Sequence, residues 1–245
     1  MGDALDGSRL KVIRAQKHLN SLKDDLRRYE QSKPYGLTIE NDIHVPGFVV
    51  PNWHITTEPH PYLSTIIGDI LCNLRSALDY VAWELAAKHV GRALVGPPTG
   101  RDKISFPIIF KRDDFGNHRK AFERYNVPTT AIDEIESVQP YARGDHPLGL
   151  LKLLVDSDKH RLPVLTRGAV RGVTVVIQHT GPATLPAGSD PSASGKKQPV
   201  DMRAQLAIFV ALQDPEMPRE PVERTLENIV KGVADVIDRF ERFLV

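Results

Sequence analysis

At 245 residues, with 41% hydrophobic and 26% charged residues, the chain has the composition of an ordinary globular protein with length enough for a sizeable core. Its 32 basic and 31 acidic residues leave a net charge of +1, which argues against a broad basic grip on duplex nucleic acid and leaves room only for a local patch. A lone cysteine, Cys72, rules out an intrachain disulfide and fits a reducing compartment, and no run approaches the roughly 18 apolar residues of a membrane span.

The N-terminal stretch MGDALDGSRLKVIRAQKH has no continuous apolar centre, so a secretory signal is not expected there. Asp6 also occupies the place where a myristoylation motif needs Ser or Thr. A cytoplasmic protein that keeps clear of membranes is the expectation. Val12, Ala15, Leu19, Leu22, Leu26 and Tyr29 then recur at spacings of three and four, which predicts a first long helix with one apolar seam.

YGLTIE and GFVVPNWHIT follow, on either side of the turn-rich NDIHVPG, and predict a β-hairpin. Next comes IIGDILCNLRSALDYVAWELA, where Ile67, Leu71, Leu74, Leu78, Val81 and Leu85 predict a second long helix. Cys72 on it reads as a small buried residue, and Trp83 as core. Shorter helices are predicted after Asp113, after Pro128, and over HPLGLLKLLVDSD with Leu148, Leu151, Leu154 and Val155 on one side.

RLPVLTRG and VRGVTVVIQH look like a second hairpin turning near Gly168 or Gly172, and RAQLAIFVAL like a further strand. Residues 180–201 between them are dense in Gly, Pro, Ser and Ala, and predict a flexible loop. Val222, Leu226, Ile229, Val233, Val236 and Phe240 complete a third long helix. The expected architecture is one α+β domain spanning residues 1–245. Its helical bundle, three long helices plus shorter ones, is packed with a small antiparallel β-sheet of about five strands.

Two polar clusters interrupt these apolar patterns. On the second long helix, Asp69, Asn73, Ser76 and Tyr80 share one face, while Arg75 and Asp79 lie on the opposite flank of the seam. Arg75 and Asp79, at i and i+4, also suit a solvated ion pair. The second cluster, DSDKHR, sets Asp156, Asp158, Lys159, His160 and Arg161 where a helix meets a strand. His160 there could act as a general base oriented by Asp156 or Asp158, with Arg161 holding an anion. Asp156, Asp158 and His160 could instead ligate a divalent metal, although D-x-D-x-H follows no established ligand geometry. The cluster equally suits a helix C-terminus whose cations meet the dipole and whose aspartates pair with Arg75.

Gly68, Asp69, Asn73, Leu74, Arg75, Ser76, Ala77, Leu78 and Asp79, followed by the Asp158-Lys159-His160-Arg161 element, resemble the GDxxxNLRSALD and DKHR motifs of an uncharacterised actinobacterial and phage protein family. The helix is also similar to the signature of HEPN domains, helical bundles that often act as metal-independent ribonucleases built across a dimer. Their motif sets a His five residues after an Arg; here Arg75 matches and Tyr80 stands in the His position. Tyrosine, with an ordinary pKa near 10, is a poor proton shuttle at neutral pH.

The resemblance implies a homodimer that binds or cleaves RNA or another phosphate-bearing ligand, without metal or cofactor. Arg75 would hold the phosphate, Asp79 would orient it, and Tyr80 and His160 would move protons, with Asn73, Asp158, Lys159 and Arg161 as further ligand contacts. The reading from the residues alone is a non-catalytic binding or scaffold protein whose polar motifs are structural ion pairs. Whether the protein is an enzyme stays open between the two. His44, His54 and His60 with Trp53 follow no ligand spacing and read as turn and surface residues. Neither a Gly-rich phosphate loop nor a G-x-S-x-G turn occurs, which removes the main support for nucleotide-fold and serine-hydrolase chemistry.

Overall fold

The computed structural model describes residues 3–41, 49–91, 104–144, 147–160, 166–179, 200–212 and 221–244. The element order is α1 (Asp6–Gln31), β1 (Tyr35–Asn41), β2 (Val49–Ile55), α2 (Tyr62–Val90), α3 (Phe115–Arg124), α4 (Thr129–Ser137) and α5 (Pro140–Arg143). Then come α6 (Pro147–His160), β3 (Thr166–His179), β4 (Val200–Leu212), α7 (Val222–Arg239) and α8 (Glu241–Leu244). Proline marks the start of five of these helices: Pro61, Pro128 and Pro221 immediately precede α2, α4 and α7, and Pro140 and Pro147 open α5 and α6. Its fixed φ and missing N–H suit a first turn, where that donor would have no intrahelical partner.

The three long helices form as their seams predict. Leu19, Leu22, Ile67, Leu74, Leu78, Val81, Leu226, Ile229 and Val233 are fully buried, and α1, α2 and α7 pack on one another through them. α6 adds Leu148, Leu151 and Leu154 to the same core, resting on α2 and α7. Burying a side chain of this size contributes about 1.5–3 kcal/mol, so these seams carry most of the drive to fold. Phe240, one residue past α7, sets its ring edge-on to Phe106 with centroids 5.9 Å apart.

The strands depart from expectation in number and arrangement. Among the described residues there are four, in two separate antiparallel pairs, β1 with β2 and β3 with β4, rather than one sheet of about five. The first hairpin is the expected one, in register from Tyr35 opposite Ile55 to Asn41 opposite Val49. The second does not turn near Gly168 or Gly172. Those glycines lie inside the single long strand β3, and the register against β4 shifts between Val170 and Gly172. A strand glycine accommodates such a bulge as readily as a turn, because either needs a backbone free of a Cβ. RLPVL, most of NDIHVPG and nearly all of the loop at 180–201 lie outside the described residues.

Candidate functional site

Residues 104–109 run beside α2 with Ile104, Phe106 and Ile108 turned into the core. Among the described residues no strand pairs with the segment, so its backbone groups need other partners. Side chains supply them on both edges. Asp79 Oδ1 accepts the Phe106 N–H at 3.0 Å, and Arg75 Nη2 donates to the Phe106 carbonyl at 2.6 Å. The two side chains also bond each other at 2.8 Å. On the other edge, fully buried Gln139 accepts the Ile109 N–H through Oε1 at 2.9 Å. Its Nε2 donates to the carbonyls of Pro107 at 3.0 Å and Ile135 at 2.8 Å. The Arg75–Asp79 pair is therefore no solvated ornament. It stands in for a neighbouring strand.

One face of this arrangement opens into a cleft of about 320 Å³. Its walls are Arg75 and Asp79 of α2, residues 105–109, His118 of α3, and Lys152 and Asp156 of α6. That volume lies at the small end of the range typical of small-ligand sites. Lys152 donates to Asp156 Oδ2 at 2.7 Å, one helical turn apart. Burial pushes the His118 imidazole below its ordinary pKa; the positive charge of Arg75 adds to that shift, and Asp114 opposes it. His118 therefore stays neutral at pH 7, able to donate through one ring nitrogen and accept through the other.

The residues singled out from sequence fall in different places. Arg75 and Asp79 come together in the cleft. Tyr80 does not join them: it is 43% exposed, lies against Gly7 of α1, and carries Lys11 Nζ 6.0 Å from its ring centroid. Asn73 is spent on its own helix, donating from Nδ2 to the Asp69 carbonyl at 2.8 Å. The expected pairing of Arg75 with an aspartate of the second cluster is not formed. Arg75 takes Asp79 and Phe106, Asp156 takes Lys152, and the Asp158 carboxylate lies against Gly68, where an added Cβ would stand 3.3 Å from it. Gly68 thus admits a side chain of α6. The side chains of Lys159 and His160, and all of Arg161, lie outside the described residues.

Cys72, expected to be buried, is exposed, since it falls on the outer flank of α2 with Asp69 and Ser76. Trp83 is partly buried and packs against the core. His54 and His60 are exposed, and His60 Nδ1 accepts the Tyr62 N–H at 3.1 Å in the first turn of α2. His44 and the side chain of Trp53 lie outside the described residues. Among the described residues no group of three His, Cys, Asp or Glu side chains is placed to hold a metal ion. No helix of the described residues is long and apolar enough to cross a membrane.

Helical periodicity marks neither His118 nor Gln139. The available signal is the alternation of Ile104, Phe106 and Ile108, an extended pattern with no partner strand among the described residues. Compared with known proteins, the chain matches no family model, no curated protein and no solved structure.

Proposed function

We propose that this protein is a binding module whose Arg75–His118–Lys152 cleft takes a small ligand carrying an anionic group, phosphate or carboxylate. The observation that carries the reading is convergence: three nitrogen-bearing side chains from three helices, α2, α3 and α6, line one cavity beside a main-chain segment pinned on both edges. Pre-organised donors of this kind hold an anion without reordering the protein at the moment of binding. The neutral state of His118 suits a hydrogen-bonding role at pH 7, and the main-chain wall fixes where a ligand can lie.

Thermal-shift measurements with phosphate esters, carboxylates and amino acids test this directly. At least one class should raise the melting temperature of the wild type and lose that effect in His118→Ala and Lys152→Ala. The absence of any shift, or a shift that both variants retain, would overturn the reading.

The second reading, a HEPN-like homodimer acting on RNA, draws its support from the Arg75-x4-Tyr80 helix. The separation of Tyr80 from Arg75 by the helix face favours binding over cleavage. Chelator-resistant RNA cleavage by the wild type, abolished in both Tyr80→Phe and His160→Ala, would displace the binding proposal in favour of this one.

A further inference from the structure

The cleft walls carry charge in matched pairs. Arg75 faces Asp79, Lys152 faces Asp156, and His118 is neutral. A ligand with a net negative charge would leave that charge uncompensated in a half-buried space, which is unfavourable. A ligand of zero net charge that carries both signs would not.

Each pair also leaves binding capacity unspent. Both hydrogen bonds of Arg75 leave from Nη2, so Nη1 and Nε bond to none of the described residues. Asp79 receives both of its bonds on Oδ1, leaving Oδ2. Lys152 uses one of three protons, and Asp156 uses Oδ2 alone. The free capacity amounts to cationic donors and anionic acceptors lining the same cavity.

The main chain adds a third element. In an extended segment, residues two apart present their N–H and C=O groups to the same edge. Phe106 spends both on Asp79 and Arg75. Ile108, next on that edge and 4% exposed, has no hydrogen-bond partner among the described residues, and it lines the cleft. Buried main-chain groups of this kind are normally satisfied, and an amide or ammonium-bearing ligand is suited to do so.

We infer that the ligand is a small zwitterion of the α-amino acid or dipeptide class, its carboxylate on Arg75 and Lys152 and its ammonium on Asp79 and Asp156. This rests on the proposed cleft and narrows its ligand. A phosphate monoester satisfies the cations but leaves the carboxylates facing a like charge. A zwitterion satisfies both.

Isothermal titration calorimetry of the whole chain with each of the common α-amino acids and with glycylglycine tests the inference. Inorganic phosphate and adenosine monophosphate serve as comparison ligands. At least one zwitterion should bind, and its N-acetylated form should bind about tenfold or more weakly, because one charge-assisted hydrogen bond is removed. Asp156→Asn and Lys152→Ala, both at partly exposed positions, should each weaken that zwitterion by a similar factor while the fold persists by circular dichroism. Equal binding of the N-acetylated form, or binding of phosphate or the nucleotide with no zwitterion, would overturn the zwitterion inference and leave the cleft reading standing. If no ligand of any class binds, both fail together.

Discussion

Asp79 and Gln139 carry more of the architecture than their polarity suggests. Each lends side-chain atoms to a stretch of backbone that no strand among the described residues accompanies, and removing either strands main-chain groups beside the core. Gln139→Leu keeps the volume and deletes three hydrogen bonds, two of them to the buried edge of residues 107–109. A loss of about 2–4 kcal/mol in urea denaturation is expected, at 1–3 kcal/mol per stranded buried group with partial relaxation.

His118 gives a pH signature. Its folded pKa lies below the 6.5 of the unfolded chain, so the unfolded state takes up the proton first as pH falls. Its contribution to stability is complete above pH 6.5 and is lost progressively below it, down through the folded value. His118→Asn should flatten that part of the stability–pH curve, measured by denaturant titration between pH 7 and pH 5. An unchanged slope would show that the His118 imidazole is not held in a half-buried setting. None of this was legible from residue identity. Arg75 and Asp79 could be paired by their spacing, but the pair's real client, Phe106, lies 27 residues beyond Asp79 in a segment without helical period.

At the scale of elements, the sequence was most informative where burial is periodic. The seams of α1, α2 and α7 run from Ala15 to Leu26, Ile67 to Leu85 and Val222 to Phe240, each set by side chains that have no stable place except against one another. Local periodicity says little, by contrast, about which residues meet across elements. The bulge in β3 needed the register of β4, and the seat of Asp158 against Gly68 needed the approach of α6 to α2.

Gly232 shows how tight such an approach is. An added Cβ on α7 would lie 2.5 Å from Pro147 Cβ at the start of α6. Proline cannot rotate away, so the helices themselves must separate. Gly232→Ala should therefore destabilise by about 1–3 kcal/mol, the usual penalty of overpacking, despite alanine's better helix propensity. Wild-type stability in that variant, read from its melting curve, would mean that α6 and α7 do not meet at this point.

Taken whole, the molecule is a bundle whose core is made by long helices, with the polar wall of the Arg75 cleft set beside it. Arg75 and Asp79, which hold one edge of residues 104–109, also line the cavity. A near-zero net charge and paired charges in the cleft suit a small, charge-balanced ligand better than a polyanion. Asp79 and Arg75 act as the missing strand for Phe106. Native-state hydrogen exchange at the Phe106 amide, in wild type and in Asp79→Ala, tests it most directly. In the wild type this amide should be as protected as those of the core helices, and in the variant it should lose protection while the Ile109 amide, held by Gln139, keeps its own. A Phe106 amide that exchanges freely in the wild type, or keeps its protection without Asp79, would contradict the account.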